Sequence, residues 1–446
     1  MINFILCDGR VCLTGVICSP NYLTSHLPTL STFTIPTFGI CYKQCSRPRL
    51  LLTQGSLYSH QSYYKLKMVE TELARPEESP VDQRGASSDE AHAVGLRNLG
   101  LTGWMNTGLQ CLHSIKELTY YFLGTTTYPY SRTHSLHLLT HLQSKAENHK
   151  SDLNTTNILG YSGEVASSYA SLIEHLHGKN LNARTNTHYP SQFLATVKKY
   201  APQFNAGRAQ ADAQEFIAWA LDALSEDLSR VKKRTYVEKP EFEEGMIGND
   251  DAIEAFAEKC IAWERGRCDS IVRDLCHGWL KSTLECPSCQ NTSISFDSFS
   301  NLPVRPSREG TGRVPLEECF DKNFIESRVL EEHDGWYCKR CDKVQTAFLN
   351  TEIWDVSDYV IVHLKKFTRP EEKPFLPTSY PVKGLDLKPW VRGKSEKSLV
   401  FDLSAVVHHR YAYPGRGYYK AFLKDFEKDV WMEYNGNLCF QWSQMM

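Results

Sequence analysis

Residues 95–112 read Gly-Leu-Arg-Asn-Leu-Gly-Leu-Thr-Gly-Trp-Met-Asn-Thr-Gly-Leu-Gln-Cys-Leu, and this stretch decides the fold. From Gly103 onward it is expected to form a helix. Beyond it, the chain alternates between helical and strand-like segments without long low-complexity gaps. Apolar side chains spaced three and four residues apart predict a helix over 211–228, and a second helix is expected over 251–264.

Two strands and one surface insertion are expected between and after these helices. Residues 293–299 alternate polar and apolar side chains, which is typical of a half-buried strand, and residues 359–364 are apolar enough for a more buried one. Residues 232–251 are charged and contain glycine, so they are predicted to be a surface insertion. No internal repeat is visible.

Length and composition exclude several classes of protein. The chain has 446 residues, enough for two or three domains or one large elaborated domain, and 41% hydrophobic with 23% charged residues is typical of globular proteins. A formal charge of −2 gives no reason to expect nucleic-acid binding. No apolar run reaches the roughly 18 residues that cross a bilayer. We therefore expect an intracellular protein, cytoplasmic or nuclear, that is not embedded in a membrane.

The first 92 residues differ from the rest of the chain in composition and in sequence pattern. Residues 1–67 lack helical or strand periodicity, and the stretch after Met68 is acidic and rich in Pro, Ser and Gly. Residues 1–92 are therefore expected to be a disordered extension, or in part a product of a start-site assignment that should begin at Met68 instead of Met1.

Four of the fifteen cysteines form two Cys-x-x-Cys pairs, Cys286 with Cys289 and Cys338 with Cys341. This spacing lets a tight turn aim two thiolates at one tetrahedral ion, and four sulfurs leave no open position for a substrate. The pattern predicts a structural zinc site within a zinc ribbon over 284–343, with 48 residues between the pairs. The alternative is a set of reduced thiols in exposed turns.

The stretch 95–112 strongly resembles the nucleophile segment of the ubiquitin-specific proteases, a papain-like family that cuts ubiquitin from lysine side chains. Other segments resemble later parts of that family in the same order. They are residues 210–216 (Gln-Ala-Asp-Ala-Gln-Glu-Phe), 278–289 and 336–341 around the cysteine pairs, 360–367, 406–422 and 431–435.

The resemblance implies an α+β, papain-like cysteine protease fold with thumb, palm and zinc-pinned β fingers, over a domain at 93–441. The fingers of the family grip the body of ubiquitin. Ubiquitin or ubiquitinated proteins are therefore the expected partners, zinc is the expected cofactor, and no nucleic acid or membrane is expected. The sequence does not indicate an oligomeric state.

The resemblance also implies an active centre whose reactive groups are missing. A papain-like mechanism needs a thiolate nucleophile, an imidazole base, a group that orients the imidazole, and donors for the oxyanion. The nucleophile slot holds Gly103, and the base slot holds Tyr418, a phenol with an ordinary pKa near 10. Asn435 stands in the orienting slot and is acceptable there. Asn98 matches the oxyanion donor. No catalytic triad is intact.

Three other side chains are candidates to replace the missing nucleophile and base. Cys111 lies eight residues after the slot, about 12 Å along a helix, and is expected to be a buried helix residue. His408 and His409 are predicted to end a strand over 403–407 instead of serving as a base.

Two further features belong to the expected helices. Asp212 and Glu215 are expected to be surface or loop-tethering groups of their helix. Gly108 costs its helix about 1 kcal/mol relative to Ala, which indicates a loosely constrained helix.

The function expected from these residues is binding without cleavage: an inactive deubiquitinase-like protein that holds ubiquitin or acts as a scaffold in ubiquitin-linked assemblies. One alternative is an active thiol-dependent deubiquitinase with an unrecognised nucleophile. Another is a zinc-ribbon scaffold unrelated to ubiquitin.

Overall fold

The computed structural model describes residues 93–124, 149–177, 186–307, 312–331, 336–365, 376–395, 397–409, 417–425 and 428–441, together with the backbone of 40–44, 49–54, 410–413 and 416. Its helices are α1 (Gly103–His113), α2 (Lys116–Leu123), α3 (His149–Asp152), α4 (Glu164–His177), α5 (Ser191–Tyr200), α6 (Ala213–Asp227), α7 (Asp250–Arg265), α8 (Ile271–Cys276) and α9 (Leu316–Phe324).

Its strands run in chain order as follows: β1 (Ile40–Gln44), β2 (Arg49–Gln54), β3 (Gly95–Leu96), β4 (Thr187–His188), β5 (Gly278–Glu285), β6 (Thr292–Phe299), β7 (Leu302–Val304), β8 (Val314–Pro315), β9 (Arg328–Leu330), β10 (Tyr337–Cys338), β11 (Lys343–Val344), β12 (Ala347–Asp355), β13 (Tyr359–Leu364), β14 (Thr378–Ser379), β15 (Leu385–Asp386), β16 (Val400–Tyr413), β17 (Arg416–Asp425), β18 (Val430–Asn435) and β19 (Leu438–Gln441).

Three layers make up the fold, and they confirm the predicted α+β class. The central sheet has the order β19-β18-β17-β16-β1-β2-β13-β7, and β15 also pairs with β16. Helices α1, α2, α4, α5, α6 and α8 bury one face of this sheet, while α9 lies against its other face. The finger sheet has the order β6-β5-β12-β9 and is covered on one face by α7.

The predicted helices form where the apolar spacing requires them. Asp212 caps α6 because its Oδ1 accepts the backbone N–H of Gln214 at 2.6 Å, and Phe216 and Leu224 are buried on the inner face. Asn249 caps α7 in the same way through the N–H of Ala252 at 3.1 Å. The predicted strands at 293–299 and 359–364 are confirmed as β6 and β13.

Two sequence expectations are wrong. The strand predicted to end at Val407 continues through His408 and His409 to Tyr413, because β17 pairs with it along most of that length. Gly108 does not indicate a loose helix. A Cβ at this position would lie 2.6 Å from Phe216 Cδ1, so the absence of a side chain lets α1 pack closely on α6.

Strands β1 and β2 lie within the expected N-terminal extension and pair with β13 and β16. Residues 1–39, 45–48 and 55–92 lie outside the described residues, so the expectation for them stays a prediction. Within the described part of the chain, no helix is long and apolar enough to cross a membrane.

Candidate functional site

The loop that leads into α1 is held by side chains of the quoted motif. Thr102 Oγ1 accepts the backbone N–H of Leu99 at 3.0 Å and donates to Asn98 Oδ1 at 3.3 Å. The indole Nε1 of buried Trp104 donates to the Leu101 carbonyl at 2.8 Å. These bonds fix the backbone that presents Asn98 beside the first turn of α1.

Gly103 is the first residue of α1 and is partly exposed. A Cβ built on it would have Asn98 Oδ1, at 3.7 Å, as its nearest neighbour. That distance is an ordinary van der Waals contact, and Gly103 is not among the glycines with positive φ. The slot therefore has room for a side chain, but Gly103 supplies no group that attacks a carbonyl.

Two amide side chains of α1 tether it to β3, and sequence reasoning gave them no role. Gln110 Nε2 donates to the Val94 carbonyl at 2.8 Å, and Asn106 Nδ2 donates to the Leu96 carbonyl at 3.0 Å. Both side chains are buried. Their amides within an otherwise apolar helical pattern were the available signal, because buried amides need partners.

The turn after β18 brings the orienting slot to Asn98. Asn435 ends β18, and the carbonyl of the next residue, Gly436, accepts the backbone N–H of Leu96 at 3.0 Å. A Cβ on Gly436 would lie 3.5 Å from Asn98 Nδ2. Asn98, Gly103 and the Asn435 turn are thus neighbours, as the resemblance implies.

Tyr418 lies on β17, which packs against α1, and its side chain is partly buried. The ammonium group of Lys420 lies 5.8 Å from the centroid of the Tyr418 ring. Just before it, the Gly417 carbonyl accepts a hydrogen bond from Gln210 Nε2. This bond, which the sequence did not predict, joins the loop before α6 to the strand that carries the base slot.

His409 offers no exposed imidazole, and His408 is only partly exposed. His409 is buried and stacks on Tyr419 with ring centroids 4.2 Å apart. Burial, together with the neighbouring His408, lowers the pKa of His409 to about 4. His408 faces Phe422, with 6.5 Å between the ring centroids.

The other candidates match their structural interpretations. Cys111 is buried within α1, and burial raises the pKa of its thiol. Cys439, on β19, also has its pKa raised by burial, to about 12. Asp212 is the buried cap of α6, and Glu215 is exposed on the same helix, so they form no catalytic carboxylate pair.

The four predicted metal-ligating cysteines come together at the tip of the finger sheet. Cys286 and Cys289 lie in the turn between β5 and β6, and Cys338 and Cys341 in the β10–β11 hairpin. All four sulfurs lie within 4.8 Å of one another. Two cross-hairpin pairs are 3.5 and 3.8 Å apart. Zn–S bonds of about 2.3 Å in a tetrahedron place sulfurs about 3.8 Å apart, so the donor set fits zinc.

The surroundings favour the thiolate at Cys286 and Cys338, whereas burial raises the pKa of the Cys289 thiol to about 12. Burial opposes ionisation of the Cys286 thiol, but the backbone N–H groups of Cys289 and Ser288 and the Cys289 thiol lower its pKa to about 6. Gln345 Nε2 donates to Cys286 Sγ at 2.5 Å, and Asn291 Nδ2 donates to Cys338 Sγ at 3.8 Å. Such donors stabilise the negative charge of metal-bound sulfurs.

Known proteins of one family are similar to this chain. A family model described as "Ubiquitin carboxyl-terminal hydrolase" matches residues 94–444. The chain is 36% identical over 236 residues to human "Ubiquitin carboxyl-terminal hydrolase 15", covering 52% of this chain and 20% of the relative. It is 39% identical over 213 residues to mouse "Ubiquitin carboxyl-terminal hydrolase 4", covering 47% of this chain and 18% of the relative.

The chain spans about a fifth of the length of these relatives. Among solved structures, it resembles a chain of the yeast SAGA DUBm with a TM-score of 0.51 and 19% identity, over 79% of this chain and 65% of that one. At this identity the likeness concerns the fold alone, and it agrees with the central and finger sheets described above.

Proposed function

Because the chain belongs to the ubiquitin carboxyl-terminal hydrolase family, we propose that it binds ubiquitin or ubiquitinated proteins without cleaving them. One observation carries the proposal: Gly103, which the resemblance assigns to the nucleophile slot, begins α1 beside Asn98 and the turn after Asn435. The surrounding scaffold is retained while the attacking atom is missing.

The residues present are suited to holding a carbonyl group but not to breaking its amide bond. The Asn98 side-chain amide and the backbone N–H groups at the start of α1 supply donors for a carbonyl oxygen. Gly103 supplies no thiolate in the nucleophile slot, and the Tyr418 phenol in the base slot is a poor proton acceptor at neutral pH. In a comparable triad enzyme, removal of the nucleophile alone lowers turnover by about 10⁶-fold.

The finger sheet supports the binding half of the proposal. Its four cysteines fit a zinc ion, which would pin the β5–β6 and β10–β11 hairpins to each other. In the family this chain resembles, pinned fingers grip the body of ubiquitin. The cysteine site of the fingers is retained, whereas the nucleophile slot holds a glycine, and this combination favours recognition over hydrolysis.

The test combines a covalent probe with a binding titration on the full chain. A ubiquitin probe carrying a C-terminal electrophile should form no adduct, while titration with labelled ubiquitin should saturate. The matched control is the Gly103→Cys variant, in which the probe meets a thiol in the same slot. No ubiquitin association at several hundred micromolar would remove the binding function. An adduct at any native cysteine would establish the alternative, an active thiol deubiquitinase.

Two observations argue against that alternative. Cys111 is buried in its helix, and the sulfurs of four other cysteines cluster at the tip of the finger sheet. Absence of ubiquitin association, together with recovery of stable protein partners, would indicate the other alternative, a scaffold unrelated to ubiquitin.

A further inference from the structure

The charged insertion contacts the finger sheet and the second cysteine hairpin. Residues 237–246, which we call the strap, are fixed at one end by Trp263 Nε1 of α7, which donates to the Val237 carbonyl at 2.8 Å. In the strap, Phe242 lies with its ring centroid 5.9 Å from that of buried Phe256, and Met246 packs on the same apolar cluster. The strap therefore covers apolar surface between α7 and the finger sheet.

Ion pairs tie the strap to the finger sheet and to the second cysteine hairpin. The pairs are Lys239 with Asp297 at 3.0 Å, Glu241 with Lys339 at 3.4 Å and Glu244 with Arg340 at 2.9 Å. The strap is thus acidic where it meets the hairpin, and the hairpin is basic there.

Arg340 contacts three parts of this arrangement. It lies in the turn between Cys338 and Cys341, so its backbone position follows that of two metal ligands. Its Nη1 donates to the carbonyl of Cys289 in the other cysteine turn at 3.1 Å, and its Nη2 donates to Glu244 Oε2 in the strap at 2.9 Å. One side chain therefore joins both cysteine turns to the strap.

We propose that metal loading of the four-cysteine site and docking of the strap are coupled, with Arg340 as the positioning residue between them. Exposed ion pairs are individually weak and screened by salt, so they hold the strap only where their partners are already in place. The metal fixes the two turns relative to each other, and this fixes the guanidinium that Glu244 meets. The coupling concerns the zinc site and does not depend on ubiquitin binding.

Hydrogen exchange of the zinc-loaded full chain, followed by mass spectrometry, tests the coupling. Chelation of the metal should make peptides from the strap exchange faster, and so should Arg340→Gln with one zinc still bound. The expected increase for Arg340→Gln is about 2- to 5-fold in the strap, with peptides from α6 unchanged. The matched control is Lys343→Gln, which removes a positive charge from the same hairpin at a residue with no ion pair among those described.

A charge swap separates the link from general damage to the fingers. Arg340→Glu should release the strap, and Arg340→Glu with Glu244→Arg should restore its protection while zinc stays bound. The inference is overturned if strap exchange is the same in Arg340→Gln and Lys343→Gln at equal zinc content. It is also overturned if the swapped, zinc-loaded variant leaves the strap as unprotected as Arg340→Glu alone.

Discussion

Replacement of Gly108 by alanine should destabilise the protein, although the same change stabilises most helices. In a helix interior, Gly→Ala contributes about 1 kcal/mol in favour of folding. Here the new methyl carbon would lie 2.6 Å from Phe216 Cδ1, 3.0 Å from Phe216 Cε1 and 3.2 Å from Ile217 Cγ1. Contacts this short force α1 and α6 apart or push the phenyl ring away.

The ring has little room to move. Phe216 is fully buried, and its ring centroid lies 5.3 Å from that of Trp104 and 6.1 Å from that of Phe204. Overpacking of a tight core costs about 1–3 kcal/mol. Contacts as short as 2.6 Å against a confined ring belong in the upper part of that range, about 2–3 kcal/mol, so subtracting the helical gain of about 1 kcal/mol leaves an expected loss of about 1–2 kcal/mol. At roughly 2–4 °C for each kcal/mol in a domain of ordinary size, the Tm should fall by several degrees.

Thermal unfolding followed by circular dichroism measures this effect, and Gly103→Ala is the matched control in the same helix. Its methyl carbon meets only Asn98 Oδ1 at 3.7 Å, so its Tm should stay the same or rise slightly. If Gly108→Ala is as stable as the unchanged protein, close packing of α1 on α6 does not explain the glycine.

Three further outcomes are expected. Gly103→Cys combined with Tyr418→His should react with an electrophilic ubiquitin probe about 10²-fold faster than Gly103→Cys alone, as measured by gel shift, because an imidazole base assists the thiol; equal rates would mean that Tyr418 does not occupy the base slot. Chelation of metal from the purified chain should lower the Tm and release close to one zinc per chain, as measured by mass spectrometry; a chain without zinc contradicts the ribbon assignment. Burial lowers the pKa of both His277 and His363 to about 3, whereas the unfolded chain protonates them near pH 6.5, so stability should be complete above pH 6.5 and fall as the pH is lowered to 5; a Tm that does not change over this interval argues against buried neutral rings.

The parts of the fold that depend on local patterns could be predicted from the sequence. The apolar spacing around Phe216 and the alternation over 293–299 gave α6 and β6 nearly to the residue. The two Cys-x-x-Cys pairs predicted which four cysteines come together, and their sulfurs cluster as a metal site requires. The resemblance placed Asn98, Gly103 and Asn435 in one site, and the structure brings them close together.

The parts that depend on contacts between distant segments could not be predicted. From the sequence, Gly108 indicates only a weak helix former, because the Phe216 ring that requires a glycine there lies more than a hundred residues further along the chain. His409 belongs to a longer strand because β17 pairs with it, which no pattern within β16 shows. Arg340 contacts Cys289 and Glu244 only after both hairpins are folded.

The cysteine site also sets an order of events during biosynthesis. Cys289 and Cys338 are 49 positions apart, and the pairing of β5 with β12 helps bring their hairpins together. When the first pair leaves the ribosome, the second pair is still inside the exit tunnel or not yet translated. Capture of the ion by all four sulfurs must therefore await the second cysteine hairpin, which makes acquisition of the ion a late step in the maturation of the nascent chain.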